Sequence, residues 1–467
     1  MKVAQKLAHY VRAFRFEDLP PDVIHQSGRV LMDAIGCCIG AFDADACRIA
    51  HGVIKELGGR QESTVIGSGL RTSCLNAALV NGLMVRYLDF NDLYALPAGK
   101  WYIGVHPSDA IPGILALAER THASGKELIT AIVLSYELSA RFCRAAVDPP
   151  LAKLGWNDDT RGIYIMPLVA GKLLGLNEDA LANAFGISGC QGMILGILDT
   201  AAEEYSMTKN LRYPRVAHGG ILAALLAERG FTGPPTVIEG ADGFNETVMK
   251  GRFDVDTFLD GGNHFYIMDT GFKPVCAVGA VQGHLQATLE LVNNHDIKPE
   301  DIERVKVTAG TRPIEHTGDP AKKHPTNKET ADHSSYYLTA IAIVDRMVGP
   351  EQYHHSKYND PRVLELIDRV TLHIDPEMDK LPRSGMSEIT TKGGKSYASR
   401  VDYPKGDPNN PMSDEDIEKK FRSLASKYMD DGHISNLLVM IKELEEIEHV
   451  NALMEQLIFD NASLIKT

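Results

Sequence analysis

Apolar residues recur at helical spacing from Val23 and Ile24 through Val30, Leu31, Ala34 and Ile35 to Cys38, which gives one helix a single greasy stripe. The same period runs through 111–118, 128–138, 168–174 and 221–226, so the first 250 residues read as mostly helical. Small residues cluster in GISGCQG (186–192) and HGGILAALLA (218–227), which predicts helices pressed close together. After about residue 268 the pattern changes. IERVKVTAG and RVTLHIDPEM alternate with β-branched residues, and SEITTKGGKSYASRVDYPKG reads as a hairpin around KGGK. From Ser413 the chain returns to helical periodicity behind a Ser/Asp/Glu start that resembles a capped N-terminus, and this tail is expected to pack back on the first part.

Length and charge narrow the picture. A chain of 467 residues exceeds what one hydrophobic core supports and predicts two domains. The net charge of −14 argues against a protein that tracks nucleic-acid phosphates, so an anionic ligand has to be met by a local basic cluster. No stretch of 18 apolar residues runs without charge, and the first twenty residues lack an apolar signal core, so neither a membrane span nor a secretory leader is expected. Seven scattered cysteines without CxxC spacing point to reduced thiols in a cytoplasm-like compartment.

Motifs that cradle phosphates or dinucleotides, bind zinc on a helix, or mount a nucleophilic serine are all missing. The adjacent His354 and His355 read as solvent-exposed polar residues. Four polar islands remain within apolar surroundings. The first, LDFNDLYALPAGKWYIGVHPSD (88–109), reads as a long loop between helices with Asp89, Asp92 and His106. Its plainer reading is a helix cap and a loop hydrogen bond. The second, YSMTKNLRYPRVAHGG (205–220), gathers Lys209, Arg212 and Arg215, either as an anion cradle or as a solvated basic loop. In the third, GFKPVCAVGA, Lys273 stands alone among apolar neighbours: a desolvated base or carboxylate holder, or a lysine snorkelling from a helix end. In the fourth, KETADHSSYYLTAIAI, His333 and Tyr337 lie four apart on one helix face, which a satisfied buried histidine also explains.

These islands, together with LMDAIGCCIGA (31–41), GKLLGL (171–176) and RGFTGPPTVIEGADGF (229–244), resemble the MmgE/PrpD family over nearly the whole chain. The resemblance implies a mainly α fold, with a large all-helical domain (1–268 with 408–467) and a smaller α+β lid domain (269–407). It further implies a homodimer with no metal or organic cofactor. Carried over position by position, it implies catalytic roles for Asp89, His106, Lys209, Lys273 and Tyr337. Arg212, Asn157 and His333 join them as substrate-binding residues. The chain departs from the family pattern where Asn157 and Val278 stand in place of histidines and Leu93 in place of a threonine; Asp158 or Asp159 is a candidate substitute for a lost histidine.

The implied activity is dehydration of a small hydroxy-polycarboxylate such as 2-methylcitrate or citrate. Lys209, Arg212 and Lys273 would hold carboxylates, His106 would move the proton, and Tyr337 or a lysine would serve the leaving hydroxyl. Epimerisation or decarboxylation of a related acid is the alternative within that chemistry. A dimeric, non-catalytic carboxylate binder is the alternative outside it.

Overall fold

The computed structural model describes residues 1–98, 101–200 and 202–459. The stripes read from the sequence become the helices Pro21–Gly40, Ile111–Thr121, Gly125–Ala145, Gly162–Leu173 and Arg212–Glu228. Gly125–Ala145 runs through the middle of the helical part and is buried almost all round, from Leu128 to Ala145. Its start is fixed by reciprocal bonds: Glu127 N–H donates to Ser124 Oγ at 3.3 Å, and Ser124 N–H donates to the Glu127 carboxylate at 2.7 Å. Each fully buried leucine or isoleucine on it contributes about 1.5–3 kcal/mol through burial.

The small residues have the purpose expected of them. A Cβ on Gly220 would lie 2.6 Å from Met166 Cβ and 3.0 Å from the Pro167 ring, so only glycine lets Arg212–Glu228 approach Gly162–Leu173 this closely.

Past residue 270 a four-stranded sheet forms in the order Val370–Ile374, Ile302–Ala309, Gly385–Thr391, Ser396–Val401. The first pair is parallel, with Val305 opposite Val370, and the other two pairs are antiparallel. The parallel pair requires a long crossover, and helix Ser335–Asp345 lies within it. Helix Gln282–Asn294 packs on the two antiparallel strands Gly385–Thr391 and Ser396–Val401. The hairpin around KGGK forms with Thr390 opposite Ser396.

The tail does return to the helical part. Ser413 caps Asp414–Ala425, which lies along Pro21–Gly40 and inserts Lys420 beside Asp33 at 2.6 Å. From there Lys420 also donates to the carbonyls of Phe90 (2.6 Å) and Lys273 (3.1 Å).

One expectation is corrected. Residues 88–109 are not an irregular loop: Leu93–Ala98 pairs antiparallel with Trp101–Val105, and Thr270–Gly271 adds a third strand. Alternation in LYALPA and WYIGV is short and interrupted by Pro and Gly, which hides the strands from a pattern reading. All seven cysteines are free. Among the described residues no helix is long and apolar enough to cross a membrane.

Candidate active site

Helix Cys74–Tyr87 delivers the first site residues. Its last turn carries Arg86, and the chain leaves it through Asp89 in the left-handed region (φ 49°), a conformation that short polar Asp tolerates better than most residues. That bend turns the Asp89 carboxylate into the protein, where it is fully buried among three cations: Lys273 at 2.5 Å, Lys209 at 3.0 Å and Arg86 at 3.1 Å. Burial opposes its ionisation, but the three positive charges win and hold it well below the usual carboxylate range. Lys209 also reaches Asp332 at 3.2 Å, and Lys328 pairs with the other oxygen of Asp332 at 2.6 Å.

The stretch after Asp89 is stitched to the stretch around His106. Asn91 donates to Ser108 Oγ and to Asp109, each at 2.9 Å, and Asp92 accepts from Ser108 (2.5 Å) and Tyr136 (2.7 Å). Burial dominates at Asp92 and pushes its carboxyl up to about 7. The backbone carbonyl of Asp92 meets His106 Nδ1 at 2.5 Å. A carbonyl can only accept, so Nδ1 carries the proton and Nε2 keeps its lone pair. Burial, with Arg86 and Lys273 nearby, holds His106 well below the ordinary histidine range, so the ring is neutral. His106 lines a cleft together with Arg86, Asn157, Arg212, Val278 and His333.

Asn157 Oδ1 accepts from Asp159 N–H at 2.9 Å and starts the turn Asp158–Arg161. Asp159 is clasped by Arg161 and by Arg212 Nε at 2.6 Å, and Arg212 reaches Asp199 at 2.8 Å. Asp158, also on the cleft wall, makes no side-chain hydrogen bond or ion pair among the described residues; burial pushes its carboxyl up to about 6. His333 Nδ1 lies 2.5 Å from Asp332, with Nε2 turned toward Asp89 (3.6 Å) and Asp199 (4.0 Å). Burial first, then Lys209, brings His333 down to about 4.

Two triplets have the donor types of a metal site: Asp199 with His316 and His333, and Asp89 with Asp332 and His333. In the second, both carboxylates are already taken by lysines. In the first, Asp199 Oδ1 stands 4.0 Å from each imidazole Nε2. Its other oxygen is held by Arg212, whose set pairs two guanidinium groups with two carboxylates, and the neighbouring set around Asp89 holds four cations against Asp89, Asp332 and Asp109. Such an excess of positive charge favours an anion over a dication.

The MmgE/PrpD N-terminal domain profile matches residues 5–256 and the MmgE/PrpD C-terminal domain profile matches 275–446. The chain belongs to the MmgE/PrpD family. Similar MmgE/PrpD proteins include the cis-aconitate decarboxylase of Homo sapiens, 26% identical over 97% of this chain and 93% of the relative. That of Aspergillus terreus is 25% identical over 97% and 96%. The 2-methylcitrate dehydratase of Escherichia coli (strain K12) is 25% identical over 80% of each chain.

Within this MmgE/PrpD chain the expected residues divide into three groups. His106, Asn157, Arg212 and His333 line the cleft together. Asp89, Lys209 and Lys273 are gathered at one point, but they form its buried backing, with the lysines spent on Asp89 and Asp332. Tyr337 is elsewhere: its hydroxyl donates to the Gln352 carbonyl, and its ring packs against Tyr353 and Tyr358. Four residues apart on a helix placed His333 and Tyr337 on one face, but His333 precedes the first turn of Ser335–Asp345, so the spacing does not apply. Arg215 is exposed beside His218, outside the cradle, and His354 and His355 are exposed as expected.

Sequence reasoning missed Arg86, Asp199, Arg312 and His316 on the cleft wall. Arg86, three residues before Asp89, and the pair Arg312/His316, four apart directly after the strand Ile302–Ala309, carried a readable signal. Asp199 in GILDT carried none.

Proposed function

We propose that this protein is a lyase that acts on a small polycarboxylic acid by proton transfer at the carbon beside a carboxylate. The observation that carries this reading is His106: a neutral imidazole whose Nδ1–H is fixed by the Asp92 carbonyl, leaving an unprotonated Nε2 at a cleft rimmed by guanidinium groups. Positive charge there stabilises the carboxylates and the negative charge that builds up when the neighbouring carbon loses its proton. In dehydration of a hydroxytricarboxylate such as 2-methylcitrate or citrate, Nε2 takes the proton. The electron pair forms the C=C bond as the C–O bond breaks, and Asp158, held protonated in the acid range, gives its proton to the departing hydroxyl as water. The buried Asp89–Lys209–Lys273 group positions the Arg86 side of the cleft, and segment 269–407 serves as a lid contributing Arg312 and His316.

A second reading is decarboxylation of cis-aconitate, favoured because the decarboxylases align over 97% of the chain and the dehydratases over 80%. There the C–C bond to one carboxylate breaks with release of carbon dioxide, the electron pair shifts across the alkene, and Asp158 protonates the far carbon.

The test is incubation of purified protein with 2-methylcitrate, citrate and cis-aconitate, following absorbance at about 240 nm and released carbon dioxide. Absorbance growing from a hydroxy acid supports dehydration. Absorbance lost from cis-aconitate with matching carbon dioxide supports decarboxylation. No change with any of the three refutes both.

A further inference from the structure

Three guanidinium groups reach the cleft, and they are not equivalent. Arg86 is held by Asp89 at 3.1 Å, and Arg212 is held by Asp159 at 2.6 Å and Asp199 at 2.8 Å. Arg312 makes no hydrogen bond or ion pair with any described residue, although it is half-buried on the cleft wall. A guanidinium carries five donors and a fixed charge, so leaving it partly desolvated without a counter-ion is unfavourable unless something else supplies the acceptors.

Local contacts fix the position of Arg312. It is the second residue of helix Thr311–Thr317, which begins where the strand Ile302–Ala309 ends. Thr311 anchors that start: its N–H and hydroxyl donate to the two oxygens of Asp379 at 2.6 and 2.8 Å. Pro313 and Ile314 are buried behind it, so the helix cannot roll, and Arg312 and His316, four residues apart, present one face to the cleft. Asp158 lines the same cleft without a side-chain hydrogen bond or ion pair to any described residue, and the Arg312 charge favours its ionised form. Asp158 and Arg312 are thus two complementary groups on one cleft, neither of them in a side-chain hydrogen bond or ion pair with a described residue.

We infer that Arg312 is the specificity-determining residue that binds the third carboxylate of the substrate, selecting acids with three carboxylates over those with two. The inference rests on the polycarboxylate reading given above. Because Arg86 and Arg212 are already neutralised, they steer and screen, whereas Arg312 is free to form the two parallel N–H···O bonds of a guanidinium–carboxylate fork.

The test is calorimetric titration of the full-length protein with tricarballylate, a saturated tricarboxylate with neither hydroxyl nor alkene to turn over, and with glutarate as the dicarboxylate. Arg312→Gln is expected to raise the Kd for tricarballylate on the order of 10- to 100-fold and to leave that for glutarate unchanged. Arg312→Lys, which keeps the charge and loses the fork, should fall between. Thermal melting of the unliganded variants controls for folding, and melting equal to wild type is expected because Arg312 has no partner to lose. Equal tricarballylate affinity in wild type and Arg312→Gln, or equal losses for both acids, overturns the role of Arg312 while leaving the polycarboxylate reading intact. If wild type binds neither acid, the polycarboxylate reading fails and the inference fails with it.

Discussion

Replacing Asp89 with asparagine tests the buried charge cluster with little change of shape, since Asn also tolerates the left-handed backbone at this position. The variant leaves Lys273, Lys209 and Arg86, all at most 1% exposed, facing a neutral amide. Removing one partner of a buried ion pair costs about 3–5 kcal/mol. The lower end applies here, because Lys209 keeps Asp332 and Lys273 keeps the Asp89 backbone carbonyl at 2.8 Å. With a melting entropy of about 2.1 cal/mol/K per residue, 467 residues unfolding together convert ~3 kcal/mol into a loss of about 3 °C.

The assay is differential scanning calorimetry on wild type, Asp89→Asn, Lys273→Met and the double variant. Removing both partners should cost about 1–3 kcal/mol less than the sum of the single changes. Because the Asp89 pKa is depressed by folding, its contribution is fully present above the unfolded value near 4 and is lost only as pH falls through the lower folded value. The deficit of Asp89→Asn is therefore constant between about pH 5 and 9 and shrinks in stronger acid. Melting of Asp89→Asn at or above the wild-type temperature, or strict additivity in the cycle, would refute the reasoning.

Three further outcomes are expected. His106→Gln should reduce turnover about 10²- to 10⁴-fold with unchanged melting, and since the wild-type imidazole is neutral well below its ordinary range, the rate should show no acid limb near pH 6.5. Asp158→Asn should lower kcat by at least about 100-fold; the wild-type rate should decline as pH rises through about 6, where Asp158 loses its proton, and the residual rate of the variant should not. Tyr337→Phe should leave kcat and KM unchanged and cost about 1 kcal/mol of stability through the lost bond to Gln352; a collapse of turnover would return Tyr337 to the chemistry.

The helices were legible because their apolar stripes are long and mostly free of breakers, as in Pro21–Gly40, and the second part because KGGK and the β-branched runs announce a hairpin. The short strands around Leu93 and Trp101 were not, since a two-residue edge such as Thr270–Gly271 completes their sheet from far along the chain. In the site, Lys273 was legible as a charge among apolar neighbours that only a buried counter-ion could justify. Its division of labour was not: nothing local says that Lys209 and Lys273 spend their charge on Asp89 while Arg312 keeps no ion-pair partner among the described residues. That depends on which cations meet which carboxylates after folding, a property of distance rather than of spacing along the chain.

Lys420 has a consequence for how this protein can be cut. It lines no part of the cleft, yet it ties Asp33, the carbonyl beside Asp89 at Phe90, and the carbonyl of Lys273 to one ammonium group. The two segments that converge on Asp89 come from positions 184 residues apart, and the tail closes the joint between them from behind. A fragment ending before Ser413 would retain every group that touches the cleft but lose the ammonium group that bridges these two carbonyls. Trimming that removes Lys420 is therefore expected to loosen the joint behind Asp89 and to reach the cleft indirectly.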